Sequence, residues 1–181
     1  NDMGGIMEAV WETLLPAMAP NPIGLDTTIF QSLAFKLNGL SLPLVEGELW
    51  SPVSEKLAQR KFQVSENEAG VKSVSFYLHG KDHRITMEMD HGMETLYLGT
   101  ESHITSKLND HLPYTQNMRR RIGASGAWVK PNEYRAKIYL TETPGSIMYT
   151  FRFANNRMTW TSQLRHSLFG SRNLAILKGE F

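Results

Sequence analysis

Residues 123–153, GASGAWVKPNEYRAKIYLTETPGSIMYTFRF, constrain this chain more than any other stretch. Two runs, 133–142 and 147–154, alternate apolar and polar residues on either side of Thr143–Pro144–Gly145. Successive side chains of a strand point to opposite faces, so this alternation predicts a hairpin with one face for a core and one for water. The same period of two recurs from about Trp50 onward. It predicts strands at 61–65, 72–79, 83–90, 95–100, 120–129, 133–142, 147–154, 157–162 and 174–179. Asn67–Gly70, His79–Asp82, His91–Gly92, Pro131–Asn132, Pro144–Gly145 and Asn155–Asn156 supply turn chemistry between them. Eight or nine short strands in series predict a mainly β protein, an antiparallel meander that curls into a barrel or half-barrel. The longer connection 101–117 is expected to cap one end.

The faces of these strands follow from parity. Val74, Phe76, Leu78, Ile85, Met87, Met89, Ile138, Leu140, Tyr149, Phe151 and Trp160 are expected on the core side. Ser73, Ser75, Thr86, Glu88, Arg135, Lys137, Thr150, Arg152 and Thr161 are expected on the wet side.

Ahead of the strands the period is helical. Ile6, Val10, Leu14 and Met18 recur every four residues, with Met7, Trp11 and Leu15 beside them. Pro16 should end or kink this helix near Leu15, and Asp26 should cap a second one that closes at Asn38–Gly39. Residues 1–46 therefore read as a helical connector with an exposed apolar stripe, and residues 47–181 as the barrel domain.

Composition limits the function classes. No apolar run approaches the roughly 20 residues that a membrane-spanning helix needs. Cysteine is absent, which excludes disulfides and thiolate-ligated metal. The chain shows no basic stretch followed by an apolar one at its start. Opening on Asn1 and not on Met, it reads as an excised or processed piece of a longer protein. A net charge of +1 divides into −5 over residues 1–50 and +6 beyond. That asymmetry reads as an acidic helical segment beside a mildly basic body, not as a nucleic-acid surface. Arg119, Arg120 and Arg121 enter a strand in succession and point to alternate faces, so they make no single patch.

No catalytic constellation accompanies this architecture. The Ser-x-x-Lys, Tyr-x-Asn and Lys-Thr-Gly elements of serine hydrolases are missing. Gly123-Ala124-Ser125-Gly126 lacks the spacing of a nucleophile elbow, and Ser125 reads as a small residue admitting close backbone approach. His79, His83 and His91 flank two turns at opposite ends of one strand, roughly 20 Å apart at about 3.3 Å per residue, too far for one zinc ion. Glu88 and Glu142 read as solvated partners of Arg135 or Arg152. No catalytic residue, metal ligand or cofactor is assigned. One binding arrangement is expected: a half-open barrel lined by Trp128, Tyr139 and Trp160, with Arg135 or Arg152 at its mouth, taking a small amphipathic or anionic ligand.

The segments GGIMEAVWETLLPAM, FQSLAFKLNGLSLPL and SGAW…TETPGSIMYTFRF, with Leu177-Lys178-Gly179 at the end, resemble the C-terminal region of bacterial serine hydrolases related to beta-lactamases and penicillin-binding proteins. The resemblance implies a lipocalin-like barrel behind a helical connector, with the catalytic elements in an upstream domain. It further implies a non-catalytic accessory role, docking on that hydrolase domain, and a periplasmic or otherwise extracytoplasmic location. The alternative is a lipocalin-like binding module for a small apolar or amphipathic ligand.

Overall fold

A computed structural model describes residues 3–18, 20, 24, 26–58, 60–109, 119–165 and 172–181. The chain divides into two units, Asn1–Pro43 and Leu44–Phe181.

In the first unit, α1 (Met3–Ala9) passes into a single π-helical turn, Val10–Leu14. The helix stops just ahead of Pro16, whose ring would clash with the preceding turn. The second helix, α2 (Thr27–Asn38), is capped as its sequence demands. The Asp26 carboxylate accepts from the backbone N–H of Thr28 at 2.9 Å and of Ile29 at 3.1 Å. The apolar side chains of both helices stay largely in solvent: Trp11 is 64% and Phe35 84% exposed.

The second unit begins with an extended segment and a short helix, α3 (Pro52–Leu57), that the period of two does not announce. Six residues are too few to set a period, yet the local chemistry is explicit. The Ser51 hydroxyl accepts from Val53 N–H at 3.2 Å, the Ser54 hydroxyl accepts from Ser51 N–H at 3.3 Å, and proline takes the first helical position.

Ten strands follow: β1 (Lys61–Val64), β2 (Val71–His79), β3 (Asp82–Met89), β4 (Gly92–Leu98), β5 (Ile104–Asn109), β6 (Arg119–Lys130), β7 (Glu133–Leu140), β8 (Ser146–Ala154), β9 (Arg157–Arg165) and β10 (Arg172–Glu180). Nine lie where alternation places them. The tenth, β5, falls inside the connection expected to cap an end. Its six residues, ITSKLN, bury only Leu108 fully, so the alternation is too faint to read. Residues 110–117 of that connection lie outside the described ones.

All pairings between the ten strands are antiparallel, in the order β4-β3-β2-β1-β10-β9-β8-β7-β6-β5. Because β1 pairs with β10, the meander rolls up, and β4 and β5 become its two edges. Short hairpins make the roll possible. Gly80, at a φ of +58°, turns β2 into β3 in a backbone region that side chains disfavour.

Closure at the edges uses isolated contacts. Gly99 N–H donates to Ala124 O at 3.1 Å, and Gly126 N–H donates to Gly99 O at 3.0 Å. Further along, Asn109 donates through its side-chain amide to the Glu94 carboxylate. Where β6 outruns β5, the segment ahead of α3 takes over. Glu48 N–H donates to Trp128 O at 2.8 Å, Trp128 N–H returns to Glu48 O at 2.9 Å, and the Ser125 hydroxyl accepts from Val45 N–H at 3.2 Å. Ser125 is thus a structural acceptor at a close approach.

The core-side residues assigned by parity are buried, and side chains fill the middle of the barrel: Val74, Ile85, Leu96, Ile138 and Phe151 are all 0% exposed. Phe62, Phe76, Phe151 and Phe153 meet edge to face or tilted at 5.0–5.9 Å between ring centres. Each such ring removed from water stabilises the fold by about 1.5–3 kcal/mol.

Candidate functional site

The outer faces of β7 to β10 build a groove out of cross-strand rows. Arg135 faces Thr150, Thr150 faces Thr161, and Thr161 faces Ile176, one row across four strands. The next row is Met148, Gln163 and Asn173. With Arg152 and Arg165 flanking, these residues line an open depression of about 280 Å³. A bulge in β10 between Asn173 and Ala175 interrupts the ladder at this point, where Ser162 is in register with Ala175.

Glu133 holds two of the groove's arginines from the adjacent cross-strand row. It is 2% exposed, at the first position of β7, in register with Arg152 and two residues from Arg135 on the same face. One carboxylate oxygen accepts from Arg135 Nε at 2.8 Å and lies 2.6 Å from its Nη2; the other accepts from Arg152 Nε at 2.7 Å. Burial alone would raise the Glu133 pKa, but the hydrogen bonds and charges of the two guanidiniums outweigh it and hold the carboxyl below its ordinary value. At the other flank, Arg165 donates through Nε to the Gln163 side-chain carbonyl at 2.8 Å, and the Gln163 amide donates to Asn173 Oδ1 at 3.2 Å. All three arginines are therefore gripped at Nε, the inner end of the guanidinium.

The residues singled out from sequence divide between two faces. Arg135 and Arg152 line the groove. Trp128 and Trp160 lie inside the barrel, 2% and 4% exposed, with indole N–H groups that have no partner among the described residues. Trp128 stands edge-on to Tyr134, and Trp160 packs on Tyr149 and Phe151. Tyr139 is on the outer face beside the groove, between the Lys137 ammonium, 4.8 Å from its ring centre, and the His103 ring at 5.3 Å. Strand parity prevents these five from sharing one mouth.

The expected partners of the arginines are replaced as well. Glu88 pairs with Lys61 at 2.6 Å and accepts from the Ser73 hydroxyl, and Glu142 lies in the turn after β7. The carboxylate that matters is Glu133. Its signal was available: it shares parity with Arg135 two residues on, directly after the Pro131–Asn132 turn.

Two histidines have depressed pKa values. His83, 1% exposed inside the barrel, is lowered by burial, against smaller upward effects from Leu49 O, Asp82 and Gly80. His103 is lowered by burial and by Lys137. His91 lies 3.2 Å from Glu94. Among the described residues, no three His, Asp or Glu side chains converge as metal ligands do.

The Thr150 and Thr161 hydroxyls have arginines, a glutamine and an asparagine around them in the lining, and among the described lining residues no carboxylate or histidine stands beside them as a base. The lining combines arginine and hydroxyl donors with an apolar flank from Met148 and Ile176.

No family model matches the chain, and no curated protein matches it. Among solved structures, it is similar to a fatty acid-binding protein from brain tissue of Drosophila melanogaster, at a TM-score of 0.48 and 8% identity, over 68% of this chain and 98% of that one. A "secretary abundant heat soluble" (SAHS) protein from Ramazzottius varieornatus gives a TM-score of 0.48 and 8% identity, over 76% of this chain and 98% of that one. These overlaps are slight, and the fold stands on its own topology.

Proposed function

We propose that the barrel is a non-catalytic binding module that takes an anionic, amphipathic small molecule in the groove on β7–β10. The observation carrying this reading is the grip on Arg135 and Arg152 by one buried carboxylate, with Arg165 held by Gln163. Arginine side chains on a surface normally spend their freedom in solvent, and fixing them in advance lowers the cost of ordering them on a ligand. Titration of isotope-labelled protein with hexyl phosphate tests the reading. The expected shifts centre on the amides of Thr150, Thr161 and Gln163, and Arg152→Ala weakens the binding about fivefold or more. Shifts centred on the indole N–H groups of Trp128 and Trp160 would move the site to the barrel interior and sink the proposal.

A second reading keeps the docking role that the hydrolase resemblance implies, together with its extracytoplasmic address. It is supported by the row Ile6, Trp11, Leu14 and Met18, each 58–70% exposed in the first unit. Apolar stripes of that kind are surfaces for a partner. In this reading residues 1–43 hold the barrel to a neighbouring domain.

A further inference from the structure

We infer that the groove selects a dianionic head group, a phosphate monoester carrying a short apolar body; the inference rests on the binding reading above. Among the described residues, three guanidinium groups and no carboxylate line the depression, and Glu133 beside it offsets only one of their charges. Two positive charges are left over. A carboxylate or sulfate ester neutralises one of them, and a phosphate monoester neutralises both.

Geometry agrees with charge. Arg152 and Arg165 are gripped at Nε, the inner end of each guanidinium, with the terminal nitrogens at the outer end. Those ends form the planar fork that meets two oxygens of a phosphate at once. The Thr150 and Thr161 hydroxyls on the floor add donors for the remaining oxygens. Met148 and Ile176, the latter 66% exposed, supply an apolar flank that inorganic phosphate would leave unused.

Such a monoester is either a soluble molecule or the head group of a lipid, and the test separates them. Calorimetric titrations are run at pH 8, where a phosphate monoester is doubly charged, its second pKa being about 6. Hexyl phosphate is expected to bind about tenfold more tightly than hexyl sulfate, its singly charged counterpart, and than inorganic phosphate. Arg165→Gln is expected to erase the preference over sulfate. Co-sedimentation with phosphatidate-containing phosphatidylcholine vesicles, competed by hexyl phosphate, supports the proposal with a lipid source. Hexyl phosphate binding without co-sedimentation supports it with a soluble one. Equal affinity for hexyl phosphate and hexyl sulfate overturns the inference and leaves the binding reading intact. No heat with any of the three, and no shift at Thr150 or Thr161, overturns both.

Discussion

His83 Nδ1 lies 3.0 Å from the Tyr134 hydroxyl while its Nε2 lies 3.1 Å from the Leu49 carbonyl, so a single imidazole joins β3, β7 and the segment leading to α3. A carbonyl only accepts, which places the proton on Nε2. Nδ1 of the neutral ring then accepts, and Tyr134 donates. Tyr134 is 0% exposed, and burial pushes its phenol well above the ordinary pKa, so it stays protonated to do this. A protonated imidazole would present two donors and oppose the Tyr134 proton.

Acid should therefore loosen the barrel. The folded-state pKa of His83 lies below the ordinary 6.5, so the unfolded chain binds more protons in the interval between the two. Stability is full above about pH 7 and falls as pH drops below the unfolded value. His103 shifts in the same direction and adds to the slope. Urea midpoints between pH 5 and pH 8 should fall on acidification, with the slope reduced in His83→Gln and reduced further when His103→Asn is added. An unchanged slope in the double variant would place the proton linkage elsewhere.

Glu133→Gln should destabilise the protein by about 1–2 kcal/mol at neutral pH. Removing one partner of a fully buried pair costs about 3–5 kcal/mol, but the Arg135 and Arg152 side chains here are 41% and 55% exposed and regain water. Because the Glu133 pKa is held below the ordinary carboxylate value, its contribution is present above that value and lost as pH falls through the folded pKa. Denaturant titrations of wild type and variant should accordingly converge at low pH. Parallel curves down to acid would show that the carboxylate is not what the arginines stabilise.

Gly126→Ala should cost about 1–3 kcal/mol although Ala is the better strand former. A Cβ at this position would run into the hydroxyl and ring of Tyr134. Relief requires moving the phenol, which breaks its bond to His83. The thermal midpoint should fall, and the Gly126→Ala protein should lose part of the His83-dependent pH slope. Retention of both would mean that Tyr134 has room to shift.

A chain of residues 44–181 should keep its strand signature in far-ultraviolet circular dichroism and its thermal midpoint within a few degrees, since residues 1–43 form a unit of their own. The apolar surface of α1 and α2 should show instead in self-association or in capture of a neighbouring domain, both lost on truncation. A truncated chain that fails to fold would end the docking reading of that segment.

Much of this fold is legible because a period of two is hard to counterfeit. The stretch 133–154 assigns its own faces, and Ile138, Tyr149 and Phe151 are buried where parity places them. What escapes has physical reasons. α3 is shorter than two helical turns, and its evidence is a capping box instead of a period. β5 is short, polar and at an edge, so few of its side chains need a core. The groove is hidden differently: Arg135 and Arg152 are visible as wet-side residues, but Gln163, Arg165 and Ile176 join them only through register across β9 and β10. Glu133 shares their parity and is buried by the arginines themselves, which no hydropathy pattern reports.

The contact between Glu94 and Asn109 has one more implication. β4 and β5 share no ladder among the described residues, so at that point the wall is fastened by a carboxylate alone. Elsewhere, parting neighbouring strands breaks a whole row of main-chain bonds; here it undoes a carboxylate's hold on the main-chain and side-chain amides of Asn109. Among the described residues the cylinder is a rolled ribbon whose edges meet at isolated points, and thermal breathing will start along that line, making its amides the earliest to trade hydrogen for deuterium.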